Sequence, residues 1–127
     1  MIKINIHSHI KIERQEEAIH EEYKGELKEI AGKICLIYTN SQDEKVLIKF
    51  DEQELSMTRY TDNPISMHFH KEFPTKADYA GLGKLSILTK DLSVNSAQQI
   101  VELYYHLAQN ELKIGEYRMQ ITWEEIG

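Results

Sequence analysis

Arg59 is the residue whose type and position point most directly to binding chemistry. It follows Leu55 and Met57 at two-residue spacing, so an extended chain places these three side chains on one face, away from Ser56 and Thr58. A guanidinium on an apolar face needs a partner, because an unpaired buried charge is costly. One interpretation is that Arg59 binds a ligand carboxylate inside the fold. The other is that it forms a structural ion pair or reaches solvent at the end of the strand.

Three hydroxyl-bearing residues occupy comparable positions. Thr89 shares the face of Ile87 and Tyr105 shares the face of Leu103, each two residues away, and Tyr79 also fits an inward position. Hydroxyls around a cavity orient a ligand head group. Buried tyrosines more often pack their rings in the core and donate a hydrogen bond to a neighbouring carbonyl. We therefore favour core packing over ligand binding for these residues.

Two His-x-His pairs, His7–His9 and His68–His70, carry the second kind of chemistry. In a strand, residues i and i+2 project from one face about 6.5–7 Å apart, so both imidazoles can bind one metal ion. Both pairs lie on polar faces, and Glu72 is the carboxylate nearest in sequence to the second pair. Solvated surface histidines are the simpler interpretation, and we expect no metal and no cofactor.

These residues would be positioned by strands, because the dominant hydrophobic period is two. Isoleucines alternate with polar residues from Ile2 to Ile12, and apolar residues alternate again from Tyr117 to Trp123. Both runs predict antiparallel strands with one dry and one wet face. The shorter alternating runs between them are separated by turns at 31–32, 40–44, 51–53 and 61–64, and by a longer loop over 71–82.

Two segments, 15–30 and 96–108, fit both a helix and a strand. In the first, Ile19 and Tyr23 fall at helical spacing among glutamates and lysines, which favour helix. In the second, Asn95 offers a helix N-cap. A period of two also fits each segment, so the pattern alone does not decide between helix and strand.

Several short pieces of the chain occur in a characteristic order. They are Gly25-Glu26-Leu27, Ile37-Tyr38-Thr39, Arg59-Tyr60, Met67-His68-Phe69, Tyr79, Gly83 to Thr89, Tyr104 to Leu107 and Met119 to Thr122. From Tyr23 to Thr122 this order resembles the YwiB-like bacterial proteins, a family of unknown function. The spacing from Tyr79 to Gly83 is a residue short of the family's pattern, so we expect the 71–82 loop to sit differently.

The resemblance implies a single domain over residues 1–127 with an all-β, calycin-like antiparallel barrel of about eight strands, similar to lipocalins. It implies that both ambiguous segments are strands, and it brings no activity. A barrel of this size is either filled by side chains or holds one small ligand. The residues that we expect at such a ligand are Arg59, Met67, Phe69, Tyr79, Thr89 and Tyr105.

Charge narrows the partners that we expect. The chain has 15 lysines and arginines against 21 aspartates and glutamates, a net charge of −6, which argues against nucleic acid and anionic membranes. Residues 13–29 contain seven glutamates against three cationic residues, and so hold most of this excess. This stretch is the wet face of a strand, or a docking surface for a basic partner protein.

The remaining features favour binding over catalysis. The single Cys35 excludes an internal disulfide and suits the cytoplasm. No apolar run approaches the roughly 18 residues of a membrane span, and we expect no signal peptide after Met1. No nucleophile, phosphate-loop or carboxylate-pair motif appears, so an enzyme is the less favoured alternative.

We therefore expect a cytoplasmic monomer or homodimer that binds a small anionic or amphipathic ligand inside its barrel. The alternative is a protein-interaction module that uses its acidic surface or a strand edge and holds no ligand.

Overall fold

Ten β-strands and the turns between them make up the computed structural model, which describes residues 1–79 and 83–126. The strands are β1 (Ile2–Ile12), β2 (Gln15–Ile30), β3 (Lys33–Thr39), β4 (Lys45–Phe50), β5 (Glu54–Tyr60), β6 (Ile65–His70), β7 (Thr75–Tyr79), β8 (Gly83–Asn95), β9 (Ile100–Gln109) and β10 (Leu112–Glu125). The predicted all-β class is confirmed, and the turns predicted at 31–32, 40–44, 51–53 and 61–64 separate strands as expected.

The strands form one antiparallel sheet in the order β6-β5-β4-β3-β2-β1-β10-β9-β8-β7. Its two edge strands, β6 and β7, lie side by side, so the sheet curls into a nearly closed barrel. Within the described ranges no backbone ladder joins these edges, but the Thr75 hydroxyl donates a hydrogen bond to the His68 carbonyl across the seam. The predicted barrel class is confirmed, with ten strands where about eight were expected.

Apolar side chains at alternate positions fill the barrel interior. On β1, Ile2, Ile4 and Ile6 are at most 3% exposed, while Lys3 and Asn5 lie on the outer face. Other buried members of the inner rows are Leu36, Ile48, Phe50, Leu55, Phe69, Ile87, Leu92, Val101, Leu103, Ile121 and Trp123. The two-residue period thus builds one continuous core from strands that are distant in sequence.

Both segments that fitted either structure are strands, and the helical alternative is wrong. Segment 15–30 is β2, which pairs with β1 and then with β3. In segment 96–108, Asn95 accepts a hydrogen bond from the backbone N–H of Gln98, as an N-cap would. The left-handed backbone of Gln99 ends that turn, and β9 begins at the next residue. Sheet pairing therefore overrides the helical propensity of both segments.

The predicted loop over 71–82 is wrong in its middle part, where Thr75–Tyr79 forms β7 and pairs with β8. The sequence signal for this strand is weak, because its inner row contains the small residue Ala77 and Pro74 stands directly before it. Residues 80–82 of the predicted loop, which include the unusual spacing from Tyr79 to Gly83, lie outside the described residues.

One finding bears on the membrane. No helix in the described part of the chain has the length and apolar character that crossing a bilayer would require.

Gly25 is the residue at which β2 changes its neighbour. It is paired with Ile2 of β1 on one side and with Tyr38 of β3 on the other. A Cβ atom at this position would lie 2.2 Å from the backbone oxygen of Ile37. Glycine therefore permits the close approach of β2 to β3, which brings Tyr38 beside β2.

Gly25→Ala is expected to lower the free energy of unfolding by about 2–3 kcal/mol, because the added methyl group must push β3 away from β2. Guanidinium denaturation followed by the fluorescence of the buried Trp123 measures this loss. Glu26→Ala, at the exposed neighbouring position, is the control and is expected to stay within about 0.5 kcal/mol of the parent protein. Equal stability of the Gly25→Ala variant would show that this approach is not constrained.

Candidate functional site

Arg59 stands on the inner row of β5, as its spacing predicted, and its register partner on β4 is the buried Val46. The side chain is 43% exposed, and its Nε lies 3.6 Å from Oε1 of Glu44. The Nε atom itself is buried and has no hydrogen-bond partner within the described residues. Arg59 thus has the ion pair and the access to solvent that its position predicted, and it retains an unused N–H donor.

A cavity of about 280 Å³ opens beside Arg59. Its lining divides into an apolar side and a polar side. The apolar side is Val46, Met57, Ile65 and Met67, and the polar side is Glu21, Tyr23, Tyr38, Asn40 and Arg59. The cavity lies where the inner row of β5 passes from Leu55, which is fully buried, to Arg59, so it is at an end of the barrel.

Two stacked tyrosines form one wall of this cavity. The ring centroids of Tyr23 and Tyr38 are 4.4 Å apart, and the Tyr23 hydroxyl donates a hydrogen bond to the Glu21 carboxylate. Burial, followed by this hydrogen bond, raises the pKa of Tyr23 to about 12. Burial also raises the pKa of Tyr38, and the neighbouring Tyr23 and Glu21 contribute. Both hydroxyls are therefore protonated at neutral pH and serve as hydrogen-bond donors.

The carboxylates near Arg59 already have partners. The Glu44 carboxylate accepts a hydrogen bond from Nδ2 of Asn40 at 3.0 Å, and the backbone N–H of Glu44 donates one to Oδ1 of Asn40. Glu21 accepts the hydrogen bond from Tyr23. The polar side of the cavity therefore combines the engaged carboxylate of Glu21 with the Arg59 guanidinium, which can bind a further anionic group.

Phe69 and Tyr105 lie in the barrel core. Phe69 is 1% exposed and its ring centroid is 4.6 Å from that of Tyr105, which in turn stacks on Tyr117 at 4.9 Å. Thr89 faces Tyr105 across the β8–β9 pairing. Its Oγ1 is buried and is the second side-chain atom, beside Arg59 Nε, that has no hydrogen-bond partner in the described chain.

The structure therefore brings two of the six predicted ligand-site residues, Arg59 and Met67, to one cavity. Phe69 and Tyr105 fill the core, Thr89 lies beside Tyr105, and the side chain of Tyr79 lies outside what the structure describes.

Sequence reasoning missed the two tyrosines of the cavity wall. Tyr38 shares the parity of the apolar Leu36, which is a signal that the sequence offered. Tyr23 lies in the segment that fitted both a helix and a strand, so its face was not defined.

The chain matches the model of a protein family described as a domain of unknown function (DUF1934) over residues 4–121. It belongs to the DUF1934 family. The family predicted from the order of its short motifs is thereby confirmed. No curated protein matches the chain.

The DUF1934 fold is also seen in a solved structure, the crystal structure of the ywiB protein from Bacillus subtilis. The two chains are 21% identical, the match covers 99% of this chain and 92% of that one, and the TM-score is 0.82. This similarity establishes the shared fold.

The His-x-His pairs of this DUF1934 chain form no group of three metal ligands within the described residues. His7 stacks on His20 of the neighbouring strand, with ring centroids 4.1 Å apart. His9 lies 3.9 Å from Glu16, between Nε2 and Oε2. This first pair is exposed, as predicted.

The second pair differs from the expectation of solvated histidines. His70 is only 13% exposed, because the ring of Phe73 stacks on it at 3.6 Å. The neighbouring carboxylate is Glu54, which lies 3.6 Å from His68 and binds Lys33 at 2.6 Å. The backbone N–H of Glu72 instead donates to Nδ1 of His70.

Alkaline titration is expected to distinguish the cavity tyrosines from ordinary ones. Burial raises the pKa of Tyr23, Tyr38 and Tyr117 in the folded protein, whereas an unfolded chain releases tyrosine protons near pH ~10. The folded state then binds more protons than the unfolded state above this pH, so stability falls as pH rises from about 10 towards 12.

Near-ultraviolet absorbance of tyrosinate, recorded on folded protein and in denaturant, checks this expectation. Tyr23→Phe and Tyr38→Phe are each expected to remove one late-ionising group. Ionisation of all seven tyrosines of the folded protein in a single transition near pH ~10 would contradict it.

Proposed function

We propose that this DUF1934 chain binds a small amphipathic ligand that carries an anionic group. The head group lies at Arg59, and the apolar part lies against Met57 and Met67. The observation that carries the proposal is the cavity beside Arg59, whose Nε is buried without a hydrogen-bond partner in the described chain. A carboxylate or a similar group would supply the missing acceptor.

The size of the cavity limits the ligand. Ligand pockets usually measure about 300–1,000 Å³, and this cavity of about 280 Å³ is at the lower end. The core beyond it is filled by rings such as Phe69 and Tyr105. The ligand is therefore a short molecule held at the barrel mouth, in contrast to the deep interior position that the sequence suggested.

The polar wall sets the orientation of the ligand. The hydroxyls of Tyr23 and Tyr38 stay protonated, so they repel an anion less than a tyrosinate would. The Tyr23 hydroxyl donates to Glu21, so Tyr38 is the tyrosine that offers a donor to the oxygens of the ligand. Glu44 competes with the ligand for the Arg59 guanidinium, since its carboxylate lies within 3.6 Å. The affinity then depends on how readily the ligand replaces this weak ion pair.

The cytoplasm is the compartment that we propose for this binding. Cys35 is the only cysteine, and it is buried, which suits a reducing environment without requiring one. The similarity to lipocalins that the sequence suggested supports ligand binding by analogy of fold alone, and the position at the barrel mouth rests on the cavity beside Arg59.

Octanoate is the probe that tests the proposal, because it combines a carboxylate with a short apolar chain. Arg59→Met is expected to weaken octanoate binding about tenfold or more, since a hydrogen bond to a charged group contributes about 1.5–3 kcal/mol. Isothermal titration calorimetry measures the affinity. Arg14→Met, which removes an exposed arginine in the β1–β2 turn, makes the same charge change and is expected to leave the affinity unaltered.

Two further comparisons isolate the head group. The affinity for 1-octanol, which has no charge, is expected to be the same in the parent protein and in Arg59→Met. Glu44→Gln is expected to tighten octanoate binding about two- to fivefold, because it removes the competing charge. Equal octanoate affinity of the parent protein and Arg59→Met would overturn the proposal.

A further inference from the structure

Among the strands that the structure describes, the first ten residues of β2 have a neighbour on one side only. β1 pairs with Gln15–Gly25, whereas β3 pairs only from Gly25 to Ile30. Gln15–Lys24 is therefore a free strand edge about 33 Å long, although β2 itself lies in the middle of the sheet. Every second residue of this edge directs its backbone N–H and C=O away from β1.

The side chains along this free edge are exposed and acidic. Glu16, Glu17, Glu21 and Glu22 all lie on it, against the single cation Lys24. Glu22 has an ion pair with Lys3 at 3.0 Å, but Glu17 has no ion-pair partner among the described residues. Between the glutamates stands the half-buried Ile19.

A depression lined by two isoleucines and three polar residues borders one end of the free edge. It is lined by Ile10, Ile12, Gln15, Glu16 and Glu17, and Ile12 is an exposed isoleucine. The edge thus offers backbone hydrogen bonds, two pairs of consecutive negative charges and isoleucines that an apolar side chain can contact. These are the three elements of recognition by strand addition.

A second copy of this chain fits the edge poorly. An antiparallel pairing centred on Ile19 would place Glu16 opposite Glu22 and Glu17 opposite Glu21 of the other copy. Like charges directly opposite each other on paired strands are destabilising. The acidic edge instead complements a strand that carries lysines or arginines.

We infer that the free edge of β2 receives an extended, basic segment of a partner protein, which adds to the sheet as a further strand. Basic side chains of the segment lie opposite Glu16 and Glu22 on one face, and an apolar side chain lies opposite Ile19 on the other face. The inference does not rest on the ligand proposed at Arg59.

A synthetic ten-residue peptide of alternating lysine and valine, blocked at both ends, is the probe. It is expected to bind the full chain and to protect amides of Gln15–Lys24 from hydrogen exchange. A peptide of alternating lysine and proline carries the same charge but lacks half of the N–H donors, and it is expected not to protect these amides.

Charge variants complete the test. Glu16→Lys combined with Glu22→Lys is expected to weaken binding of the lysine–valine peptide about tenfold. Glu72→Lys combined with Glu111→Lys changes the net charge equally, at exposed turn residues away from the edge, and is expected to weaken it far less.

Three results would overturn the inference: equal binding of the two peptides, protection that maps elsewhere on the chain, or a homodimer that protects the same amides. Loss of octanoate binding with retained peptide binding would concern only the ligand site.

Discussion

Packing of the inner side-chain rows against one another is the interaction on which this structure depends. The rows come from strands far apart in sequence, and their rings meet in the core, Phe50 against Trp123 at 5.5 Å and Phe69 against Tyr105 at 4.6 Å. Because these side chains fill the interior, the space beside Arg59 lies at an end of the barrel. The same row that begins with the buried Leu55 ends with the guanidinium, so the core itself determines where a polar head group meets an apolar surface.

Unequal strand lengths produce the second feature of the fold. β2 has 16 residues and β3 has 7, so β3 covers only part of its neighbour. The change of partner occurs at Gly25, where the close approach to Ile37 also brings Tyr38 next to Tyr23. One glycine thus separates the half of β2 that pairs with β3 from the unpaired half, and the cavity residues Glu21 and Tyr23 lie at the end of the unpaired half that adjoins Gly25. The cavity and the edge are consequences of the same strand, although they would recognise different partners.

The sequence allowed the parts of this arrangement that depend on local alternation to be predicted. A two-residue period predicts the first strand, which begins at Ile2, and the last strand, which contains Trp123. It also predicts the inner position of Arg59. Tyr23 was missed because its segment fits a helix as well as a strand, and only pairing with β1 decides between them. β7 was missed because a five-residue strand with one small inward residue has little signal. The partner of Arg59 and the carboxylate beside His68 depend on contacts between turns and strands, which no local pattern contains.

The most direct test of a ligand at the barrel mouth is NMR of methyl-labelled methionine during titration with octanoate. The chain has four methionines, of which Met57 and Met67 line the cavity, while Met1 and Met119 do not. The account predicts that the methyl signals of Met57 and Met67 shift together and saturably, and that those of Met1 and Met119 stay in place. Shifts at Met119 without shifts at Met57 and Met67 would contradict it.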